Sequence, residues 1–151
     1  MGPGKKLPAF SLPRSDGSLW KTADATFPLV LYFYPKDMTE GCTLEGRDFR
    51  DLHASFKRAR TTVLGLSRDS CERHAKFRAK EDFPFELLAD ENEKVCRLFD
   101  VIREKTLYGR KFMGIERSTF LFDTNGKLAR EWRKVRVKGH AAEVLEAVRS
   151  L

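Results

Sequence analysis

The residues best suited to chemistry form one octet at positions 35–42, which reads Pro-Lys-Asp-Met-Thr-Glu-Gly-Cys. It directly follows the apolar run 29–34, which is typical of a strand buried on both faces. A strand, a short polar turn and a cysteine entering a helix place a thiol at the positive end of a helix dipole, where a thiolate is stabilised. The octet therefore predicts a reactive thiol at Cys42.

The segment after this cysteine has the spacing of an amphipathic helix. At steps of three and four it carries a thiol, a carboxylate and three core residues, namely Cys42, Glu45, Phe49, Leu52 and Phe56. We therefore expect one helix whose thiol faces inward. Alternatively, Cys42 is a small buried core residue, as most free cysteines are.

A second strand and helix follow. Residues 62–67 predict a second buried strand, and Asp69 with Glu72 three residues later predicts a capped helix start, with the helix reaching Lys80. Because the carboxyl ends of parallel strands form the usual site of such sheets, we expect Cys42 and the loop 67–70 to share that edge.

The other elements complete an α/β layered fold with a mixed central sheet flanked by helices. They are a hairpin near 10–12 and 18–20, a strand at 85–88, a helix at 91–99 with a core stripe of Val95, Leu98, Phe99 and Ile102, a hairpin of 118–122 with 128–132, and a terminal helix at 140–148.

The spacing Pro-x-x-x-Thr-x-x-Cys, formed by Pro35, Thr39 and Cys42, resembles the active-site signature of the peroxiredoxins. Segments 34–37, 41–43, 64–70, 108–109 and 114–121 resemble the bacterioferritin comigratory protein (peroxiredoxin Q) subfamily, so the resemblance covers nearly the whole chain. It implies a single thioredoxin-like domain over residues 1–151. It also implies a thiol-dependent peroxidase that reduces hydrogen peroxide and organic hydroperoxides through a sulfenic acid at Cys42.

The resemblance also assigns roles around the thiol. A peroxidase thiol must be ionised near neutral pH, where free cysteine is mostly protonated. Arg117 is implied to lie beside the sulfur, where a guanidinium stays charged and offers fixed donors. The Thr39 hydroxyl and the Cys42 N–H are implied to hold the peroxide, Pro35 to shield the sulfur from water, and Glu45 to orient the arginine. Taken alone, Glu45 would also fit an ordinary surface carboxylate.

The sequence departs from the subfamily at the second, resolving thiol. The two positions where members carry it are occupied by Arg47 and Arg78. Cys71 lies two turns before Arg78 on the same helix face, so it is either a resolving thiol or a free thiol without a role. Cys96 borders an apolar stripe and is most simply a core residue. If neither resolves, thioredoxin, glutaredoxin or glutathione must reduce the sulfenic acid directly.

Composition limits the kinds of partner that we expect for this protein. The three cysteines have no close-paired spacing, which argues against a secreted disulfide framework and a zinc ribbon, and we expect no metal or cofactor. The net charge is +7, but 29 Lys and Arg are interleaved with 22 Asp and Glu, so nucleic acid is not an expected partner. Without a signal-like or membrane-spanning run, we expect a cytoplasmic protein, and a monomer rather than a dimer.

Two other functions remain open at this stage. A redox sensor would react with peroxide without turnover. A thioredoxin-like thiol oxidoreductase would need a Cys-x-x-Cys pair, and Glu45 occupies the position three after Cys42. The histidines His53, His74 and His140 have no ligand-like spacing, which favours surface or packing roles.

Overall fold

The computed structural model describes residues 2–151, so Met1 of the expected domain lies outside the described part. Nine strands and five α-helices follow one another in that part: β1 Ser11–Pro13, β2 Leu19–Lys21, β3 Leu29–Phe33, α1 Glu40–Asp51, α2 His53–Arg58, β4 Thr62–Ser67, α3 Cys71–Glu81, β5 Glu86–Ala89, α4 Lys94–Leu98, β6 Ile102–Leu107, β7 Arg110–Ile115, β8 Ser118–Phe122, β9 Leu128–Trp132 and α5 His140–Arg149.

The central sheet has five strands in the order β5-β4-β3-β8-β9. Strands β3, β4 and β5 are parallel, whereas β8 is antiparallel to β3 and β9 to β8. The sheet is therefore mixed, as expected. Because Phe33 pairs with Ser118, the residue just before β8 arrives at the carboxyl end of β3. Cys42 and Arg117 reach the same edge of the sheet in this way.

The apolar run of β3 is buried on both faces, which confirms the sequence prediction. Leu29, Leu31 and Phe33 pack in one cluster with side chains of α4 and of the β1–β2 hairpin. Val30 and Tyr32 pack in the other, with α1, α2, α3 and α5. Alternate side chains of a strand point to opposite faces, so a continuous apolar run serves both layers.

Helix α1 is shorter than its stripe predicts. It ends at Asp51, and Leu52 leaves helical geometry with φ −98° and ψ 1° before α2 begins. Phe56 nevertheless stays fully buried, as a residue of α2. Helix α3 begins one residue later than expected: Ser70 is its N-cap, and its Oγ accepts from the Arg73 N–H at 3.2 Å.

One prediction in the second half of the chain is wrong, and one hairpin was missed. Helix α4 has only five residues, and Leu98 of its expected core stripe is 49% exposed. The hairpin of β6 and β7 was not expected, because Ile102–Leu107 alternates charge with few buried positions. No helix in the described range 2–151 has the length and hydropathy needed to cross a membrane.

Candidate active site

Cys42 is the third residue of α1 and is only 3% exposed. The chain leaves β3, turns through residues 35–39 and enters the helix with Thr39 as N-cap, whose side chain makes no capping bond. The first-turn N–H groups therefore face the site without a side-chain acceptor from the cap. This arrangement leaves the positive end of the helix available to a thiolate or a bound oxygen.

Arg117 lies beside the sulfur, as the resemblance implied. Its Nη2 donates to Cys42 Sγ at 3.5 Å, and its Nη1 donates to Glu45 Oε1 at 2.7 Å. Gly41 makes room for the guanidinium, because a Cβ at this position would lie 3.1 Å from Nη2. One arginine thus joins the thiol and the carboxylate of the same helix face.

Glu45 is buried rather than exposed, with 1% of its surface accessible and one carboxylate oxygen, Oε2, without a hydrogen-bond partner. Burial raises the pKa of Glu45 to about 7, although the Arg117 guanidinium opposes the change. The pKa of Arg117 is lowered by burial, but Glu45 and Cys42 more than offset this, so it lies above its ordinary value. Arg117 therefore remains a cation in the site.

Thr39 and Pro35 flank the thiol on the loop. The exposed Thr39 donates its hydroxyl to the Lys36 carbonyl oxygen at 2.9 Å, and Pro35 is half-buried directly after Tyr34. Lys105 of β6 is a further neighbour that the sequence did not indicate. Its pKa is lowered by burial and then by the nearby Arg117 guanidinium.

The other two cysteines have different surroundings, and all three in the described range are free thiols. Cys71 is the half-buried first residue of α3, and burial and then Glu91 raise its pKa. Cys96 is fully buried in α4. Burial raises its pKa far above the usual range, and the Asp90 carboxylate adds to the effect. A core role is thus the one its surroundings favour.

Both positions where the subfamily carries a resolving thiol hold arginines that form ion pairs. Arg47 Nε lies 2.6 Å from Glu81 Oε1 and joins α1 to the end of α3. Arg78 Nη1 lies 2.9 Å from Glu86 Oε2 and joins α3 to β5. Neither position therefore offers a thiol, and both arginines link elements of the fold.

Sequence reasoning missed a buried polar network behind the loop. His74, expected to be a surface or packing residue, is fully buried and lies 2.6 Å from the Asp37 carboxylate. His140 is also buried, with Nε2 2.8 Å from the Thr119 hydroxyl, and burial lowers its pKa to about 4. The one available signal was that Asp37 belongs to the octet.

Comparison with known proteins gives consistent matches over nearly the whole chain. A family model described as the AhpC/TSA family matches residues 3–131. The chain is 48% identical over 149 residues to peroxiredoxin Bcp of Bacillus subtilis, covering 98% of this chain and 95% of that protein. It is 50% identical over 150 residues to peroxiredoxin Bcp of Xanthomonas campestris, covering 96% and 94%.

Solved structures agree. A mutant of PrxQ from Xylella fastidiosa superposes with a TM-score of 0.93 at 42% identity, covering 99% of this chain and 96% of that one. The bacterioferritin comigratory protein of Xanthomonas campestris, studied for its alkyl peroxide reduction activity, superposes with a TM-score of 0.88 at 46% identity, covering 93% and 90%. These likenesses confirm the fold expected from the sequence.

Proposed function

This chain belongs to the AhpC/TSA family and is a peroxiredoxin, a thiol-dependent peroxidase, and from that premise we propose that Cys42 is its peroxidatic residue. The observation that carries the proposal is the contact of Arg117 Nη2 with Cys42 Sγ at 3.5 Å, in the uncapped first turn of α1. A guanidinium and a helix N-terminus both favour the thiolate over the thiol, and the thiolate is the nucleophile.

In the proposed reaction the Cys42 thiolate attacks one peroxide oxygen. An S–O bond forms as the O–O bond breaks, and the alkoxide or hydroxide leaves and takes up a proton. The sulfur is oxidised by two electrons to a sulfenic acid, and the peroxide is reduced to an alcohol or water. We assign Arg117, Thr39 and the Cys42 N–H to the peroxide oxygens, where charge develops.

Pro35 and Glu45 have supporting roles in this proposal. Pro35 limits access of water to the sulfur from the loop. Glu45 orients Arg117, and its support is the 2.7 Å ion pair in a buried setting. An ion pair held by burial fixes the guanidinium better than a solvated one would, because solvent screening is weak there.

For the second half-reaction we propose direct reduction by an external thiol of the thioredoxin, glutaredoxin or glutathione type. This thiol attacks the sulfenic sulfur and releases water, and a second thiol then frees Cys42 as a new disulfide forms. The support is the setting of Cys71. Burial and then Glu91 raise the pKa of its thiol, so Cys71 is less able to form the thiolate that would attack the sulfenic sulfur.

The test is product analysis after one equivalent of hydrogen peroxide. We expect a sulfenic acid at Cys42, trapped by a dione reagent, and steady-state turnover once a thiol donor is added. A redox sensor would form the same adduct but would not turn over. A Cys42–Cys71 disulfide in the mass map, with turnover lost in Cys71→Ser, would instead make Cys71 the resolving thiol.

Substrate range and cellular setting also remain to be tested. We propose alkyl hydroperoxides beside hydrogen peroxide, which rests on the activity studied in the Xanthomonas relative. Competition between cumene hydroperoxide and hydrogen peroxide measures the preference. The monomeric state and the cytoplasmic location stay predictions, for light scattering and cell fractionation.

A further inference from the structure

The loop that delivers Thr39 and Cys42 contains a strained residue. Met38, directly before the N-cap Thr39, has φ 64°, in the left-handed region that side chains other than glycine rarely adopt. Such a conformation is unfavourable for a residue with a side chain and persists only where the surroundings impose it. Met38 itself is 37% exposed, so its own side chain contributes little to holding it. The constraint must come from its neighbours.

Asp37, the preceding residue, is 1% exposed and is hydrogen-bonded through backbone and side chain alike. Its N–H donates to Asp69 Oδ2 at 2.9 Å, and its carbonyl oxygen accepts from Arg73 Nη2 at 3.3 Å. Its carboxylate accepts from the Tyr34 hydroxyl at 2.5 Å and lies 2.6 Å from His74 Nδ1. Asp37 is thereby attached to the residue after β3, to the loop after β4 and to α3.

His74 completes the attachment from α3. Its side chain is 0% exposed, and its Nε2 lies 2.9 Å from the Leu88 carbonyl oxygen. A carbonyl oxygen only accepts, so Nε2 must donate, and a proton must therefore also lie between Nδ1 and the Asp37 carboxylate. The imidazole spans from β5 to the loop with both nitrogens engaged.

We propose that Asp37 and His74, the anchor pair, are positioning residues for the peroxide step, which rests on the proposed function of Cys42. The pair holds the strained loop, and the loop sets the direction of the Thr39 hydroxyl, which the proposed function assigns to the peroxide oxygens. A misplacement of about 1 Å in such groups costs about 10²-fold in rate.

The anchor pair acts on peroxide geometry and not on the sulfur's charge. Arg117 reaches Cys42 from the start of β8, a different element, and its Glu45 partner belongs to the second turn of α1. Loosening the loop therefore leaves the cation beside the sulfur. Reaction with an alkylating agent, which needs only an accessible thiolate, should survive where reaction with peroxide does not.

The experiment compares two rates in each variant, single-turnover oxidation by hydrogen peroxide and alkylation by iodoacetamide. For Asp37→Ala we expect a loss of about 10²-fold in the peroxide rate with an unchanged alkylation rate. Asp37→Asn keeps both backbone bonds and can pair with Tyr34 and His74, so it should recover most of the peroxide rate. His74→Gln, which can keep one of the two bonds of the ring, should lie between them.

A packing variant serves as the matched control. Phe83 stacks on Phe85 and lies against Gly46 of α1. Phe83→Leu should lower the melting temperature while leaving the peroxide rate unchanged. If Asp37→Ala does not fold, His74→Gln and Asp37→Asn still carry the comparison.

Two results would overturn the anchor pair: wild-type peroxide rates in folded His74→Gln and Asp37→Ala, or a parallel loss of peroxide and alkylation rates. Failure of the proposed function looks different. In that case Cys42→Ser would still consume peroxide, whatever the Asp37 variants do.

Discussion

Cys42 and Cys96 occupy the same position in two helices and have opposite surroundings. Each is the third residue of its helix, and each is at most 3% exposed. At α4, however, the Asp90 carboxylate accepts from the Cys96 N–H at 2.7 Å and from the Val95 N–H at 3.2 Å. At α1 no side chain of the N-cap does so, and a guanidinium lies beside the sulfur.

The difference shows that a helix N-terminus does not by itself make a reactive thiol. The positive end of α4 is neutralised by an acid that also raises the pKa of Cys96. At the N-terminus of α1, a guanidinium adds positive charge and the N-cap side chain accepts no first-turn N–H. Charge at the helix end, together with burial, separates a peroxidatic cysteine from a core cysteine.

The largest expected effect comes from exchanging each sulfur for oxygen. Cys42→Ser should abolish peroxide consumption, because a hydroxyl of similar size does not ionise near neutral pH. Cys96→Ser should keep the wild-type rate per folded molecule. Steady-state assays on both variants measure this, with circular dichroism as the folding control. An inactive Cys96→Ser variant would contradict the contrast between the two cysteines.

Removal of the cation is expected to have the next largest effect. Arg117→Met should slow oxidation of Cys42 by about 10²–10³-fold, because a donor to the developing charge is lost with the positive charge. Alkylation should slow as well, unlike in the Asp37 variants. Arg130→Met, which removes an exposed arginine, is the matched control. Equal rates in the two variants would mean that Arg117 has no part in the reaction.

Glu45 is the buried acid near Cys42, and its titration makes the free energy of unfolding depend on pH. Its pKa is raised from 4.5 to about 7, so the folded protein holds this proton more tightly than the unfolded chain. The resulting stability is present below about pH 4.5 and is lost as the pH rises through about 7.

Glu45→Gln should lack this loss. Relative to the variant, the wild-type free energy of unfolding should fall by up to about 3 kcal/mol between about pH 4.5 and about pH 8. Urea unfolding at both pH values measures it. His140, with a pKa near 4, titrates in both proteins and cancels. A pH-independent difference would contradict the raised pKa.

The smallest effect is expected at Asp90. Asp90→Asn removes the acid beside Cys96, but burial is the larger cause of the raised pKa of Cys96. In a Cys42→Ser background, Cys96 should therefore stay resistant to iodoacetamide in the folded protein. Rapid alkylation would mean that Asp90, and not burial, keeps this thiol inactive.

Local patterns predicted most of the fold. The buried strands, the hairpin of β8 and β9 and the terminal helix follow from periodicity and turn residues, which act over a few neighbours. The β6–β7 hairpin did not follow, because its side chains are mostly exposed and charged and so leave no burial pattern. The break at Leu52 and the exposure of Leu98 did not follow from the helical spacing either.

For the site, local patterns were enough to predict that a cysteine follows a buried strand and enters a helix whose inner face carries Glu45. The resemblance to the peroxiredoxins also implied that Arg117 lies beside the sulfur. The fold determined which of the two buried thiols has a cation beside it. The antiparallel pairing of β8 with β3 brings Arg117 to a sulfur 75 residues away, and helix packing brings His74 to Asp37 across 37 residues. Charges act through distance in space, and sequence spacing alone does not contain that distance.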